Sequence, residues 1–173
     1  RARLTGVAIN DATQIVFIDT PGIFKPKRML EKAMVEDAWI GASDADLLAL
    51  VVDARRRPGA EADDTQHIIS SLKAINRCAF LIINKIDCVK HADLLALTKS
   101  LSSERLKGDI PLFTDVYMIS ALSGDGVSAL GKALASAMPF GPWLYPKDQI
   151  ATAPWRYLAA EITREKLFNN LNQ

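Results

Sequence analysis

Four short runs of valine, isoleucine, leucine and phenylalanine recur along the chain, at residues 15–18, 47–52, 80–83 and 116–119. Each is apolar on successive positions instead of every second one, the pattern of a parallel strand covered on both faces. The stretches between them carry apolar residues at helical spacing. Residues 29–42, with Met34, Ala38 and Trp39 among the apolar positions, read as a helix, and so do 64–75, 91–106 and 127–138. Strand and helix alternate four times, which predicts an α/β domain on an open, mostly parallel sheet with right-handed crossovers and helices on both faces. At the front, residues 4–9 are followed by Asn10 and Asp11 and then by the first apolar run. That hairpin signal makes one edge of the sheet antiparallel.

After Met138 the pattern breaks, because Pro139, Gly141, Pro142, Pro146 and Pro154 interrupt regular structure. Residues 139–154 therefore read as a linker between a first domain, 1–138, and a segment at 155–173. That last segment is helical in pattern, with Leu158, Ile162 and Leu167 spaced along one side. A lone helix with an apolar stripe points to the start of a second, larger domain.

Composition narrows the function by exclusion. Lysine plus arginine number 21 against 20 for aspartate plus glutamate, so bulk charge supplies no attraction to nucleic acid or anionic membrane. Any such binding has to be local. Cys78 and Cys88 lack a CxxC spacing and have no histidine at metal-ligand intervals, so they read as free thiols in a reducing compartment. No run approaches the ~18 apolar residues of a membrane span, and no signal-peptide core opens the chain, which reads as cytoplasmic.

Three short signals follow three of the four strand candidates, at the carboxyl ends where open α/β sheets bind ligands. The first is DTPG, at Asp19, Thr20, Pro21 and Gly22. A carboxylate at a strand end can hold Mg²⁺ through water, and the glycine lets a backbone N–H approach a terminal phosphate. The second is NKID, where a carboxylate at Asp87 can accept hydrogen bonds from the N1–H and 2-amino group of guanine. The stem of Lys85 can lie along the base, and Asn84 can either tie the loop or reach the ring's acceptor edge. The third is SAL, where backbone N–H groups at Ser120 and Ala121 can meet the guanine O6. A Pro-Gly turn, a helix-capping NKxD turn or a lone SAL tripeptide is each an ordinary structural feature; the joint order of all three is what carries weight.

That order resembles the later guanine-nucleotide motifs of translation-factor-related GTPases. The wording around it is closer still to the Era family of ribosome-assembly GTPases, in QIVFIDTPGIFKPK (14–27), GPWLYPKDQ (141–149) and AAEITREKL (159–167). The resemblance covers essentially the whole chain. It implies a GTP-hydrolysing G domain followed by an RNA-binding KH domain, with GTP or GDP and Mg²⁺ as cofactors. It implies small-subunit 16S rRNA and the 30S subunit as partners, and a peripheral association with the inner membrane. It assigns Asp19 to Mg²⁺ through water, Gly22 to the γ-phosphate, Thr20 and Pro21 to cofactor binding, Asn84, Lys85 and Asp87 to the base, and Ser120 and Ala121 to its O6 edge.

The chain also departs from that family. No GxxxxGK followed by serine or threonine occurs, so the phosphate-binding loop and the first switch are expected to be missing and the KH domain truncated. One near match exists: Gly126, Gly131 and Lys132 have the loop's spacing, but Ala133 stands where a metal-binding hydroxyl is needed, and the stretch is helical in pattern. Ile23 follows DTPG where Ras-like enzymes carry a glutamine that orients water, so no catalytic residue is identified and slow intrinsic turnover follows. The basic runs Lys25, Lys27, Arg28 and Arg55, Arg56, Arg57 read as solvated faces, and His67 and His91 as surface residues. Trp39 reads as core, and Trp143 and Trp155 as residues that pin two domains together. Two other readings stand beside an Era-type switch: a nucleotide-free scaffold, and a related GTPase outside ribosome assembly.

Overall fold

The computed structural model describes residues 4–19, 45–56, 60–148, 163, 164, 166, 167 and 170, with the backbone alone at 4, 5, 19 and 60–63. The expected helix at 29–42, Thr20, Pro21, Gly22, Ile23, the cluster Lys25, Lys27, Arg28, and the residues Arg57, Trp39 and Trp155 lie outside the described residues. The chain divides into two compact units, Arg1–Thr20 with Gly141–Gln173, and Pro21–Phe140.

In the first unit, β1 (Leu4–Asn10) and β2 (Thr13–Asp19) pair antiparallel, with Asn10 opposite Thr13 and Leu4 opposite Asp19. The two-residue turn places Asp11 at φ 52, a left-handed conformation that aspartate tolerates better than most residues. Gln14 then fastens residues 144 and 145 to the hairpin. Its Oε1 accepts from the Leu144 and Tyr145 amides at 2.9 and 3.0 Å, and its Nε2 donates to the Tyr145 carbonyl at 2.8 Å. The Trp143 indole donates to the Ala12 carbonyl at 3.1 Å, so this tryptophan is fixed on the hairpin turn. The described positions 163, 164, 166, 167 and 170 are helical.

The second unit carries a three-stranded parallel sheet in the order β3 (Ala49–Asp53), β4 (Ala79–Asn84), β5 (Phe113–Met118). Helix α1 (Ala60–Ala74) connects the first two strands and α2 (His91–Ser102) the second pair, while α3 (Val127–Ala137) follows β5. Leu50 and Val52 of β3, Leu81 and Ile83 of β4, Ile69 and Leu72 of α1, and Leu94 and Leu101 of α2 share one core. Phe80 and Ile82, which strand alternation turns to the other face, are buried outside that cluster, as are Leu130 and Leu134 of α3.

Two expectations need correcting. Burial on both faces holds only for the central strand: β4 is buried from Ala79 to Ile83, whereas β3 alternates and leaves Val51 60% exposed. An unbroken apolar run is thus compatible with a strand that, among the described residues, is paired on one side. Helix α2 ends at Ser102 instead of reaching 106. Leu106 is buried by another route, because a tight turn through Gly108 (φ 82) and Asp109 (φ 61) returns the chain so that the Leu106 amide donates to the Ile110 carbonyl at 2.8 Å. Among the described residues no helix is long and apolar enough to cross a membrane.

Candidate functional site

The carboxyl ends of β3, β4 and β5 bring Asp53, Asn84 and the loop after Met118 to one edge of the parallel sheet. β4 stops at Asn84 because the next residue, Lys85, turns left-handed at φ 66, ψ 38, and a single 3₁₀ turn, Ile86–Cys88, follows. A non-glycine residue in that conformation costs about 1–2 kcal/mol and persists where its surroundings hold it. Here the Asn84 side chain does so: Oδ1 accepts from the Lys85 amide at 2.8 Å and from the Ala121 amide at 3.0 Å. The two loops are stitched again by the backbone, with the Ile119 amide donating to the Ile83 carbonyl at 2.8 Å and the Ile86 amide donating to the Ile119 carbonyl at 3.2 Å.

Asp87 sits in the 3₁₀ turn. Its carboxylate is held below the ordinary range first by a hydrogen bond from the Ser120 side chain and then by the Cys88 thiol, which donates to Oδ2 at 3.1 Å. An ionised carboxylate only accepts, which is the polarity that two adjacent N–H donors require. Cys88 responds in the opposite sense: the neighbouring carboxylate and desolvation push its thiol up. Ser120 is 1% exposed and organises its own loop, since Oγ accepts from the Ser123 amide at 3.2 Å. The Ser120 amide donates to the Asp125 carbonyl at 3.0 Å, and the Gly124 amide returns to the Ser120 carbonyl at 2.9 Å.

The sequence-derived residues of the second unit, Asn84, Lys85, Asp87, Ser120 and Ala121, therefore converge on the β4 and β5 ends. Asp19 is the last residue of β2, in the first unit. The N–H groups of Ser120 and Ala121, assigned from sequence to a base oxygen, both have partners within the chain. Sequence reasoning passed over Asp53 and read Arg55 as part of a solvated basic face. Asp53 binds both Arg55 and Lys85, so Arg55 is an ion-pair partner and not merely part of a solvated basic run. The signal available for Asp53 was a carboxylate closing a strand. A cleft of ≈ 410 Å³ takes in Asp87, Ser120, Ser123, Asp125, His91 and Met118 but not Asn84, Lys85 or Ala121, so it flanks the converging residues without containing them all. The loop-like run at 126–132 is the start of α3, capped by Gly126, and its N–H groups are taken up in the helix: the Leu130 amide donates to the Gly126 carbonyl at 3.0 Å.

Residues 4–140 match the family model of the elongation factor Tu GTP binding domain. The chain belongs to that family. It is 50% identical over all 173 residues to the GTPase Era of Afipia carboxidovorans and 50% identical to that of Mesorhizobium japonicum, covering 53% of each. The chain thus spans about half the length of the curated relatives it matches. Among solved structures it is similar to Era in complex with MgGDPNP and nucleotides 1506–1542 of 16S ribosomal RNA, at TM-score 0.74 and 35% identity over 95% of this chain and 53% of that one. It is equally similar to an Aquifex aeolicus Era variant bound to GDP·AlF₄⁻, at TM-score 0.75 and 35% identity, covering 96% of this chain and 54% of that one.

Proposed function

We propose that this chain binds guanine nucleotides at the ends of β4 and β5, as part of an Era-type GTPase switch that acts on 16S rRNA in small-subunit assembly. The observation that carries the reading is the Asn84 bridge. One side-chain oxygen fixes both the NKID turn and the SAL loop, and so sets Asp87, kept ionised by Ser120 and Cys88, at a defined place beside Lys85. That arrangement accepts from the N1–H and 2-amino donors of guanine and offers nothing of the kind to adenine. The Era relatives and the nucleotide-bound Era structures support the same ligand.

Among the described residues no group of three or more histidines, cysteines, aspartates or glutamates could hold a metal. Mg²⁺ in a nucleotide site needs few protein ligands, because phosphates and water supply the rest, and the family resemblance assigns Asp19 to that ion. When bound, Mg²⁺ neutralises charge on the β- and γ-phosphates. Gly22 is assigned to the γ-phosphate, and Thr20 and Pro21 to cofactor binding. Ile23 offers no hydrogen bond to an attacking water, so intrinsic turnover is slow and a partner, an ion or the substrate's phosphate has to orient it. The RNA contact is assigned by the family resemblance to a KH domain beginning at 155–173, and the Era–rRNA complex supports rRNA as the ligand. Nothing in the comparisons supports a peripheral membrane association, and the proposal leaves it out.

The test is competition binding with labelled GTP on the full-length protein. GDP displaces the label and ATP does not; equal displacement by ATP would refute the base assignment. The 173-residue chain carries no GxxxxGK[ST] sequence. Phosphate contacts dominate nucleoside triphosphate affinity, so by itself the chain binds Mg²⁺·GTP more weakly than micromolar and does not turn it over. Calorimetry giving micromolar or tighter affinity would show a phosphate site elsewhere in these residues.

A further inference from the structure

Asp53 closes β3 and stands beside Asn84 in the parallel register. Its carboxylate, which lies outside the three motifs, is the hub of a charged cluster. Oδ2 accepts from Lys85 Nζ at 2.8 Å and from Arg55 Nη2 at 2.9 Å, while Oδ1 accepts from the Arg55 amide at 2.9 Å and from Arg55 Nε at 3.2 Å. The guanidinium grips the carboxylate through two nitrogens and the ammonium approaches as a third donor, a geometry that fixes the rotamer of Asp53 as well as its charge. The backbone is locked at the same point, because the Ala54 amide donates to the Asn84 carbonyl at 2.8 Å.

Lys85 starts from a constrained backbone, left-handed and held at its N–H by Asn84, so its side chain leaves the turn in a defined direction. Asp53 takes its ammonium. The other carboxylate on the same turn is Asp87, two residues on, whose Oδ2 accepts from the Cys88 thiol. An ammonium seated on Asp87 would occupy the lone pairs that the guanine donors need, and the lysine stem would fold back across the place of the base. The partner that Lys85 takes therefore decides how much acceptor capacity Asp87 keeps.

We propose that Asp53 is a positioning residue for base recognition: it draws the Lys85 ammonium away from Asp87, extends the lysine stem beside the base, and leaves Asp87 free to read the guanine edge. The inference rests on the guanine-binding reading above. Arg55 supports it by holding Asp53 in place and balancing its charge. Asp53 exerts this role through Lys85 of the NKID motif.

A double-mutant cycle tests it, read by titration of fluorescent GDP on the full-length protein. Asp53→Asn preserves shape and removes the charge; Lys85→Met preserves the stem and removes the ammonium. Asp53→Asn alone should raise Kd about fivefold and narrow the preference for GDP over IDP, which lacks the 2-amino group; in the Lys85→Met background it should change Kd by less than about 1.5-fold. Asp53→Glu should recover most of the loss. An equal penalty in both backgrounds would mean that Asp53 acts through the fold and not through Lys85, and would overturn the proposal, as would an unchanged Kd in Asp53→Asn. A wild-type protein without preference for GDP over ADP would overturn the base-site reading and this inference together; a selective wild type with an indifferent Asp53→Asn would sink the inference alone.

Discussion

Gly126 and Gly124 provide a matched pair of perturbations within one loop. Both adopt left-handed backbone, at φ 72 and φ 85. A Cβ at Gly124 meets nothing within 4 Å, whereas a Cβ at Gly126 lies 2.5 Å from the Met118 carbonyl oxygen, 3.1 Å from Ile119 Cγ2 and 3.4 Å from Ile119 Cα. Gly124→Ala therefore costs the conformational penalty alone, about 1 kcal/mol. Gly126→Ala carries the same penalty and must also move backbone, since neither the carbonyl nor Cα is the free end of a side chain; displacing packed structure adds about 1–3 kcal/mol. Urea unfolding of the two variants should thus separate them by roughly 2 kcal/mol. The displaced atoms belong to the exit of β5, where the Ile119 amide and carbonyl bind Ile83 and Ile86. Gly126→Ala should therefore also weaken guanine-nucleotide affinity, and Gly124→Ala should leave it nearly intact. Equal destabilisation to within about 0.5 kcal/mol would show that the contact to Met118 is relieved without cost and refute the reasoning.

Asp87→Asn should weaken GDP binding on the order of a hundredfold and restore affinity for xanthosine diphosphate, since an amide donates where the carboxylate accepted; competition fluorescence with the two nucleotides decides it. The Cys88 thiol is pushed up by Asp87, so less of it is thiolate at pH 8, and Asp87→Asn should speed its alkylation by iodoacetamide about threefold, as read by mass spectrometry. Asp53 is held well below the usual carboxylate range by Arg55 first, against an opposing desolvation, and then by Lys85. Its stabilisation is complete above the unfolded value near about pH 4 and is lost as pH falls through the folded value, so Asp53→Asn should flatten Tm against pH below about pH 5. Gln14→Leu removes three hydrogen bonds to residues 144 and 145, and exchange of the Leu144 and Tyr145 amides should accelerate about tenfold while β4 stays protected.

The alternation of strand and helix in the second unit was legible because local signals suffice for it: apolar runs, helical spacing between them, and polar residues at the run ends. Boundaries were less so. β5 begins at Phe113, three residues before the apolar run, because Thr114 and Asp115 sit on exposed positions where polarity is no obstacle to pairing. Leu106 kept helical spacing with 91–102 although a turn buries it, and nothing local separates these routes to burial. The Asp53–Lys85 pair was illegible for a different reason. The partners lie 32 residues apart, and their contact depends on the register that sets Asp53 beside Asn84. Register is a property of packing and cannot be read from either segment alone.

Asn84 shows how far residue type carries a reading. From sequence it had two available roles, tying the loop or reaching the base. Its Oδ1 does the first twice over, and Nδ2 is the part left to reach a ring. The same arrangement engages the Ala121 N–H, which the resemblance aims at guanine O6. A guanine placed there can share the Ala121 N–H in a three-centre bond that keeps the Asn84 bridge, because both oxygens accept. An adenine would set its 6-amino donor against the Ala121 N–H and gain no acceptor in return. Discrimination at position 6 then follows from an N–H that can be shared only with an acceptor, and it adds to the selection Asp87 makes at N1 and the 2-amino group. The loop bond that looks like an obstacle to the base is thus compatible with guanine and costly for adenine.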